Sequence, residues 1–237
     1  MKRDQITLVT GAAGALGSTL VRYLAERAHR VIAVDRPQAE AALRTLAASI
    51  PNCVALPLAG DASNWKSALQ QLVDDGARPN GAVLVAGAWQ GGAPFHESSD
   101  SVWDAMFSAN LDSAALAIRS LLPHMLVAGQ GSIVAIGSRA AVRPWESAGA
   151  AAYASSKAAL VALVKAVSAE VLAQGVRLNA ILPSTLDTQA NRAAMPDADA
   201  SHWVSTESLA GIVEFLLSVA ARDISGAEVP VYGRVGV

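Results

Sequence analysis

Residues 10–17 decide the fold of this 237-residue chain, and they read Thr10-Gly11-Ala12-Ala13-Gly14-Ala15-Leu16-Gly17. An apolar run precedes them, Ile6–Val9, and apolar residues follow at helical spacing, at Leu16, Leu20, Val21 and Leu24. Glycines at a strand-to-helix turn let the backbone approach a phosphate, and the helix N-terminus offers free N–H groups and a positive dipole end. The stretch predicts a phosphate-binding turn; a turn that binds nothing and a methyltransferase-type nucleotide site remain open.

An acidic residue, Asp35, follows the next apolar run, Val31–Val34. A carboxylate at this point can accept hydrogen bonds from both hydroxyls of an adenosine ribose, and it repels a 2′-phosphate. The pattern therefore predicts a nicotinamide cofactor, with NAD(H) favoured over NADP(H). The neighbouring Arg36 leaves NADP(H) open, because a guanidinium could hold the 2′-phosphate. Asp61, after the third run, is expected either to contact the adenine amino group or to cap a helix.

Short apolar strands alternate with helices along the whole chain. The strands are predicted at Ile6–Val9, Val31–Val34, Val54–Leu58, Ala82–Val85, Ser132–Ile136, Val176–Leu182 and Glu228–Val231. Runs that are apolar on both faces are typical of a parallel sheet covered by helices. We therefore expect a single α/β domain over residues 1–237. It would be Rossmann-type and doubly wound, with a mostly parallel seven-stranded sheet and helices on both faces.

Two predicted helices are long and apolar on more than one face, Val102–Val127 and Ala151–Ala173. Pro123 is expected to end or kink the first. Because a helix that is apolar nearly all round is buried, these helices suggest a subunit interface. Residues 184–206 form a polar segment that is too long for an ordinary connection, so we expect a substrate-binding loop or lid there.

Composition excludes several classes of protein. Hydrophobic residues make up 52% of the chain and charged residues 16%, which argues against disorder. The net charge of −2 gives no global field that favours nucleic acid, and the single cysteine rules out an internal disulfide. No metal site is expected from the spacing of the four histidines. Charged residues within the longest apolar stretch argue against a membrane span, and residues 1–4 show no signal peptide, so a cytoplasmic protein is expected.

The pair Tyr153 and Lys157 opens the second long helix. Residues four apart lie on one helical face, so the lysine ammonium can approach the tyrosine phenol. A nearby cation favours the phenolate and would lower the tyrosine pKa, which would suit Tyr153 to acid and base work near neutral pH. A surface pair without function is the alternative, and the preceding phosphate turn makes it less favoured.

This combination resembles the short-chain dehydrogenase/reductase family over nearly the whole chain. The resemblance implies that Tyr153 is the catalytic acid and base, and that Lys157 also binds the nicotinamide ribose. It implies that Ser138, in Ile136-Gly137-Ser138, orients the substrate carbonyl, and that Asn110, in Ala109-Asn110-Leu111, organises a proton relay. Members of the family form dimers or tetramers, so a homodimer or homotetramer is expected.

The sequence departs from the usual family pattern in places. Ala15 replaces a glycine of the first turn, Val85 replaces the asparagine of Asn-Ala-Gly, and Ser184 replaces a glycine after Pro183. Several of these stretches resemble dihydropteridine reductase and its relatives. The alternatives to a small carbonyl or alcohol substrate are therefore a pterin-like substrate reduced with NADH and, from another class, a sensor or scaffold that binds NAD(P) without turnover.

Two further groups of residues are expected at the site. Residues expected at the cofactor, besides the catalytic pair, are Gly11, Ala13, Gly14, Ala15, Leu16, Gly17, Asp35, Arg36, Asp61, Ala62, Ala86, Gly87, Pro183, Thr185 and Leu186. Residues expected at the substrate are Trp89, Trp145, Ser184, Asn191, Met195 and Trp203. For the three tryptophans a packing role is the alternative.

Overall fold

The computed structural model describes residues 5–234; residues 1–4, on which the signal-peptide expectation depends, lie outside the described part. Seven parallel strands form one sheet in the order β3-β2-β1-β4-β5-β6-β9. They are β1 Ile6–Thr10, β2 Arg30–Asp35, β3 Cys53–Pro57, β4 Gly81–Leu84, β5 Gly131–Ile136, β6 Val176–Pro183 and β9 Glu228–Val231. The predicted sheet is confirmed, and every pairing in it is parallel.

Three helices cover each face of the sheet. One face packs against α3 (Ala62–Asp74), α5 (Ser113–Ala128) and α6 (Ala151–Val171). The other packs against α1 (Ala15–Glu26), α2 (Glu40–Ala48) and α8 (Thr206–Leu217). Consecutive strand residues alternate between the two faces: Leu8 joins the first core cluster and Val9 the second. Burial on both faces explains why the strands are continuously apolar.

The first long helical segment runs without a break from Asp100 to Ala128. It consists of α4 (Asp100–Phe107), a π-helical turn (Ser108–Asp112) and α5. Pro123 was expected to end or kink this helix, and it does not end it: Pro123 lies inside α5, which continues for five more residues to Ala128, and Gly129, with φ 62°, follows as the C-cap. By length and composition this segment could span a membrane, although here Ile118 and Leu121 pack against the sheet.

Residues 184–206 contain structure of their own rather than one irregular loop. They include β7 (Leu186–Asp187), α7 (Gln189–Ala194) and β8 (Val204–Ser205), and β7 pairs with β8 in parallel. The guanidinium of Arg192 holds both oxygens of Asp187, at 2.6 and 2.8 Å. Short elements therefore order the segment predicted to be a lid.

The strand order reverses between β1 and β4, which lie side by side at the centre of the sheet. Strand connections leave in opposite directions at such a point, and a crevice opens at the carboxyl ends of the strands. The phosphate turn follows β1 here, and the segment containing Ala86 and Gly87 follows β4.

Candidate active site

The turn after β1 needs glycine at two positions. Gly11 has φ +62°, and a Cβ atom there would lie 2.9 Å from the Ala86 backbone nitrogen. A Cβ atom on Gly17 would lie 2.1 Å from the Gly11 carbonyl oxygen, so the start of α1 could not pack on the turn. Gly14 is the N-cap of α1 and has no side-chain cap, and Ala15 is the exposed first residue of that helix. Because Ala15 is exposed, there is room for its methyl group at a position where the family usually has glycine.

A cleft of about 890 Å³ opens above this turn. Ten of the residues predicted at the cofactor line it: Gly11, Ala13, Gly14, Ala15, Leu16, Gly17, Asp35, Arg36, Ala86 and Gly87. Apolar side chains that the sequence analysis did not select also line it, among them Leu58, Trp65 and Leu116. The cleft thus joins the glycine-rich turn after β1, which is predicted to bind phosphate, to an apolar wall.

Asp35 lies at the end of β2 and already accepts two backbone hydrogen bonds. The Ala13 N–H donates to Oδ2 at 2.9 Å, and the Arg36 N–H donates to Oδ1 at 2.8 Å. Asp35 therefore ties the phosphate turn to the end of β2. Since each carboxylate oxygen has two lone pairs, further donors such as ribose hydroxyls can still bind.

Asp61 occupies the capping position that was one of its two expected roles. It is the N-cap of α3, and its Oδ1 accepts the Asn64 backbone N–H at 2.9 Å and the Ser63 hydroxyl at 2.6 Å. These hydrogen bonds lower the pKa of the Asp61 carboxyl. Neither Asp61 nor Ala62 lines the cleft, whereas the preceding Gly60 does.

Asn110 lies in the π-helical turn and is fully buried. Its side-chain amide makes two hydrogen bonds with the backbone of Ala88, in the loop after β4. Oδ1 accepts the Ala88 N–H at 2.9 Å, and Nδ2 donates to the Ala88 carbonyl at 3.0 Å. Nδ2 also donates to the Ser156 hydroxyl on α6, at 3.0 Å. Asn110 therefore fastens the loop that lines the cleft to the helix that carries Tyr153.

Helix α6 places Lys157 one turn after Tyr153, at the carboxyl end of β5. The Lys157 side chain is 5% exposed, and its Nζ donates to the Ile136 carbonyl at 2.8 Å. A Cβ atom on Gly87 would lie 3.3 Å from this Nζ and 2.7 Å from Asn110 Oδ1. Glycine at position 87 therefore keeps the lysine and the asparagine next to the cleft.

Ser138 and Tyr153 meet through their side chains. The Tyr153 hydroxyl is hydrogen-bonded to Ser138, and Ser138 Oγ also accepts the Ala140 N–H at 3.1 Å. The structure thus brings all four predicted catalytic residues to one place, with Asn110 and Lys157 beside Gly87 and Ser138 bonded to Tyr153.

Burial controls the ionisation of the tyrosine and the lysine. It lowers the pKa of Lys157 from 10.5 to about 8. Burial also raises the pKa of Tyr153, and the hydrogen bond with Ser138 works in the opposite direction. The prediction that Lys157 holds the Tyr153 pKa low is therefore corrected, because loss of solvent around the phenol outweighs the stabilisation of its anion.

Comparison with known proteins identifies the family. The sequence profile described as short chain dehydrogenase matches residues 5–199, most of the chain. The chain belongs to this family. It is an NAD(P)-dependent oxidoreductase, and its seven-stranded parallel sheet with helices on both faces agrees with the structures of other members.

Three related proteins show how far the similarity extends. The dehydrogenase is 28% identical to a 2,5-dichloro-2,5-cyclohexadiene-1,4-diol dehydrogenase of Sphingobium indicum, over 98% of this chain and 97% of that protein. It is 30% identical to galactitol 2-dehydrogenase of Rhizobium johnstonii, over 94% and 92% of the two chains. A solved structure from Beutenbergia cavernae, described as a proposed NAD(P) dependent gluconate 5-dehydrogenase with NADP bound at low occupancy, has a TM-score of 0.85. It is 28% identical, over 97% and 95% of the chains.

The residues predicted at the dehydrogenase's substrate come from the segments that follow β4, β5 and β6. Trp89 and Trp145 are 66% and 73% exposed, and neither lines the large cleft. Met195 is exposed and Trp203 is partly buried, both within residues 184–206. Their contact with a substrate stays a prediction.

Polar residues after β6 are held by the backbone around them. The Ser184 hydroxyl donates to the Tyr232 carbonyl at 2.9 Å, and Asn191 Nδ2 donates to the Leu186 carbonyl at 2.8 Å. The Thr185 carbonyl accepts the Val204 N–H at 2.9 Å. Pro183, Thr185 and Leu186 do not line the cleft, so their role at the cofactor stays a prediction.

Sequence reasoning missed residues that act on the dehydrogenase's site through distant contacts. The Thr10 hydroxyl oxygen accepts the Val85 and Ala86 N–H groups at 3.0 and 3.2 Å, and so holds the loop after β4 where the family usually has asparagine. Thr10 is the first residue of the glycine-rich stretch Thr10–Gly17, so its place in the sequence could have indicated this role. Trp65 had only helical spacing to indicate it, and helical spacing cannot show that one edge of a side chain borders a cleft.

Proposed function

We propose that this oxidoreductase interconverts a secondary alcohol and its ketone, with Tyr153 as proton donor and acceptor. The observation that carries the proposal is the arrangement at the start of α6. A buried Lys157 lies one turn from Tyr153, and the Tyr153 hydroxyl is bonded to Ser138. Gly87, which lines the large cleft, lies beside the Lys157 ammonium. This is an acid–base pair with a hydrogen-bonding partner for a substrate oxygen, next to a dinucleotide-sized cleft.

The cleft fits a nicotinamide dinucleotide because no side chain fills the turn where the phosphates would lie. Gly11, Gly14 and Gly17 would hold the pyrophosphate at the N-terminus of α1, and Asp35 would hold the adenosine ribose. The bound cofactor supplies or takes the hydride.

The protein's own groups handle the substrate oxygen and its proton. Ser138 and Tyr153 hydrogen-bond the oxygen and so fix its distance from the phenol. In reduction the Tyr153 phenol donates its proton to that oxygen, and in oxidation the Tyr153 phenolate accepts the proton from the alcohol. Because burial raises the pKa of Tyr153, the phenol holds its proton at neutral pH and is ready for reduction. The ammonium of Lys157, fixed by the Ile136 carbonyl, stabilises the phenolate that forms.

Removal of the phenolic oxygen of Tyr153 tests its acid–base role. Tyr153→Phe removes the phenolic hydroxyl and keeps the ring, so NADH should bind with a dissociation constant within about 2-fold of wild type while turnover falls by roughly 10²- to 10⁴-fold. Fluorescence titration with NADH measures the first quantity, and steady-state rates measure the second. If Tyr153→Phe turns over an alcohol at the wild-type rate, the proposed role of Tyr153 is wrong.

We expect NAD(H) to be preferred over NADP(H). Asp35 supports this preference because its carboxylate is fixed beside the phosphate turn, where it would repel a 2′-phosphate. Titration with both cofactors tests it, with Asp35→Asn as the matched variant. Asp35→Asn should reduce the preference by about 10-fold or more, since it removes the negative charge and keeps the shape of the side chain. Tighter binding of NADPH than NADH by wild type would contradict the expectation.

The names of the two enzyme relatives point to polyhydroxylated substrates, a cyclic diol in one and a sugar alcohol in the other. A panel of cyclic diols, sugar alcohols, simple ketones and quinonoid dihydropterin would identify the class. Activity with the pterin alone would favour the pterin-like alternative. NADH binding with no turnover across the panel would favour a sensor.

A homodimer or homotetramer is expected from the outer faces of the long helices. On α6 a stripe of small residues is exposed, Ala158, Ala162, Ala166 and Ala169, and Val127 near the end of α5 is 81% exposed. A second copy would remove such surfaces from water. Sedimentation at micromolar concentration tests this, and a stable monomer would contradict it.

A further inference from the structure

Four residues form a cluster between the segment after Ser138 and the end of the sheet. The guanidinium groups of Arg139 and Arg143 lie 5.8 and 5.9 Å from the centre of the Tyr232 ring. The Glu146 carboxylate forms a salt bridge with each of the two arginines, at 3.2 Å in both cases. We call Arg139, Arg143, Glu146 and Tyr232 the arginine–tyrosine clamp. The side chains of its three charged members are only 24–33% exposed.

One side of the clamp controls the position of Ser138. Arg139 directly follows Ser138, and the short helix Arg139–Ala141 is capped by the Ser138 side chain. The Ser138 carbonyl accepts the Ala141 N–H at 3.0 Å, and the Arg139 carbonyl accepts the Arg143 N–H at 2.9 Å. Because these bonds make residues 138–143 one unit, the anchoring of Arg139 and Arg143 on Tyr232 also fixes the Ser138 side chain.

The other side of the clamp reaches residues 184–206, the segment predicted to be a lid. The Tyr232 carbonyl accepts the Ser184 hydroxyl at 2.9 Å, and the Arg234 N–H donates to the His202 carbonyl at 3.0 Å. Gly233 has φ +66°, and a Cβ atom there would lie 2.5 Å from the His202 carbonyl oxygen. Residues 232–234 therefore lie against both ends of that segment while the Tyr232 ring contacts the two arginines.

We infer that Tyr232 is a positioning residue of the active site. Through the clamp it holds the Ser138 segment on one side and residues 184–206 on the other, so that the serine and the substrate segment keep a fixed relative position. This inference rests on the proposed function, because it is the substrate oxygen that Ser138 would align. The ring provides the contact to the arginines, whereas the hydroxyl of Tyr232 has no part in the clamp.

The test compares Tyr232→Leu, which removes the aromatic ring, with Tyr232→Phe, which keeps it. Tyr23→Leu is the matched control, because the Arg27 guanidinium lies 3.5 Å from the Tyr23 ring on α1, away from the clamp. Glu146→Gln removes the negative charge that pairs with Arg139 and Arg143 and keeps the size of the side chain. It serves as the second variant if Tyr232→Leu does not fold.

Hydrogen exchange provides a readout that does not depend on activity. Backbone N–H groups of residues 140–143, 146, 203 and 204 are hydrogen-bonded in the native protein and should exchange slowly. In Tyr232→Leu both segments should exchange faster, by about 10-fold or more. In Tyr232→Phe and Tyr23→Leu they should exchange as in wild type. Unchanged exchange in Tyr232→Leu would overturn the clamp even if no substrate were known.

Kinetics then test the positioning role. In Tyr232→Leu the kcat/KM for the substrate should fall by about 10- to 100-fold, because misplacement of a catalytic group by an ångström has effects of this size. The dissociation constant of NADH should stay within about 2-fold of wild type, and Tyr232→Phe should restore kcat/KM. Faster exchange with an unchanged kcat/KM would overturn the positioning role. Absence of alcohol and ketone turnover in wild type would instead refute the proposed function. The hydrogen-exchange result would still test whether Tyr232 holds the two segments.

Discussion

Replacement of Lys157 by methionine should stabilise the protein at neutral pH. The side chain is 5% exposed, and burial lowers its pKa from 10.5 to about 8. At 1.36 kcal/mol per pKa unit, the folded state bears a penalty of roughly 3 kcal/mol for the buried ammonium. Methionine fills a similar volume and removes the charge, although it loses the bond to the Ile136 carbonyl, worth about 1 kcal/mol. The net expectation is a gain of about 2 kcal/mol in the free energy of unfolding.

The pH dependence gives the sharper test. Below pH 8 the lysine is charged in both states, so the folded state bears the whole penalty. Between pH 8 and 10.5 the folded protein loses this proton while the unfolded chain keeps it, so the wild type gains stability as the pH rises. The advantage of Lys157→Met should therefore shrink to well under about 1 kcal/mol by pH 9.5.

Urea denaturation at pH 7.0 and 9.5, followed by circular dichroism, measures both differences. Lys165→Met is the matched control on the same helix. Lys165 is 55% exposed and pairs with Glu228 at 2.8 Å, so its replacement should change stability by less than about 1 kcal/mol at either pH. The reasoning would be refuted if Lys157→Met were less stable than wild type at pH 7.0. It would also be refuted if the difference in the free energy of unfolding between variant and wild type were the same at both pH values.

Three other substitutions have definite expected outcomes. Ser138→Ala removes the hydrogen bond that lowers the pKa of Tyr153, so the rise of kcat/KM with pH in alcohol oxidation should move to higher pH; a move to lower pH would contradict this. Gly17→Ala would place a Cβ atom 2.1 Å from the Gly11 carbonyl oxygen, and we expect a loss of about 1–3 kcal/mol in thermal unfolding together with weaker NADH binding. Arg177→Met should cost about 2–4 kcal/mol in urea denaturation, with partial recovery in Arg177→Lys, because the guanidinium donates to three backbone carbonyls, those of Leu216, Ser218 and Ile224.

Local patterns in the sequence predicted the fold and much of the site. The turn containing Gly11 and Gly17 and the pair Tyr153 and Lys157 each depend on residues within one or two turns of chain. Steric limits on glycine and the helical repeat act over that range, so both features could be predicted from the sequence. The alternation of apolar runs likewise predicted a parallel sheet, because burial on both faces leaves no polar alternation in the strands.

Errors arose where a prediction depended on contacts between distant segments. Pro123 was expected to end or kink a helix, and it does not end it: α5 continues to Ala128 with its inner face packed on the sheet, since tertiary packing can outweigh the loss of one helical hydrogen bond. Tyr153 was expected to have a lowered pKa, yet burial raises it. Sequence spacing shows which groups are near each other along a helix, and it does not show how much water remains around them.

The sequence by itself determined the parallel sheet, the phosphate turn, and the spacing of the tyrosine and lysine, because each follows from short-range geometry. Only the tertiary structure decided that Asn110 binds Ala88 and Ser156, and that Asp35 ties the turn after β1 to the end of β2. It also decided that Tyr232 contacts two arginines far from it in sequence. These contacts join segments that are separated by 20 to 90 or so residues, and they form only when the sheet brings the carboxyl ends of its strands to one edge.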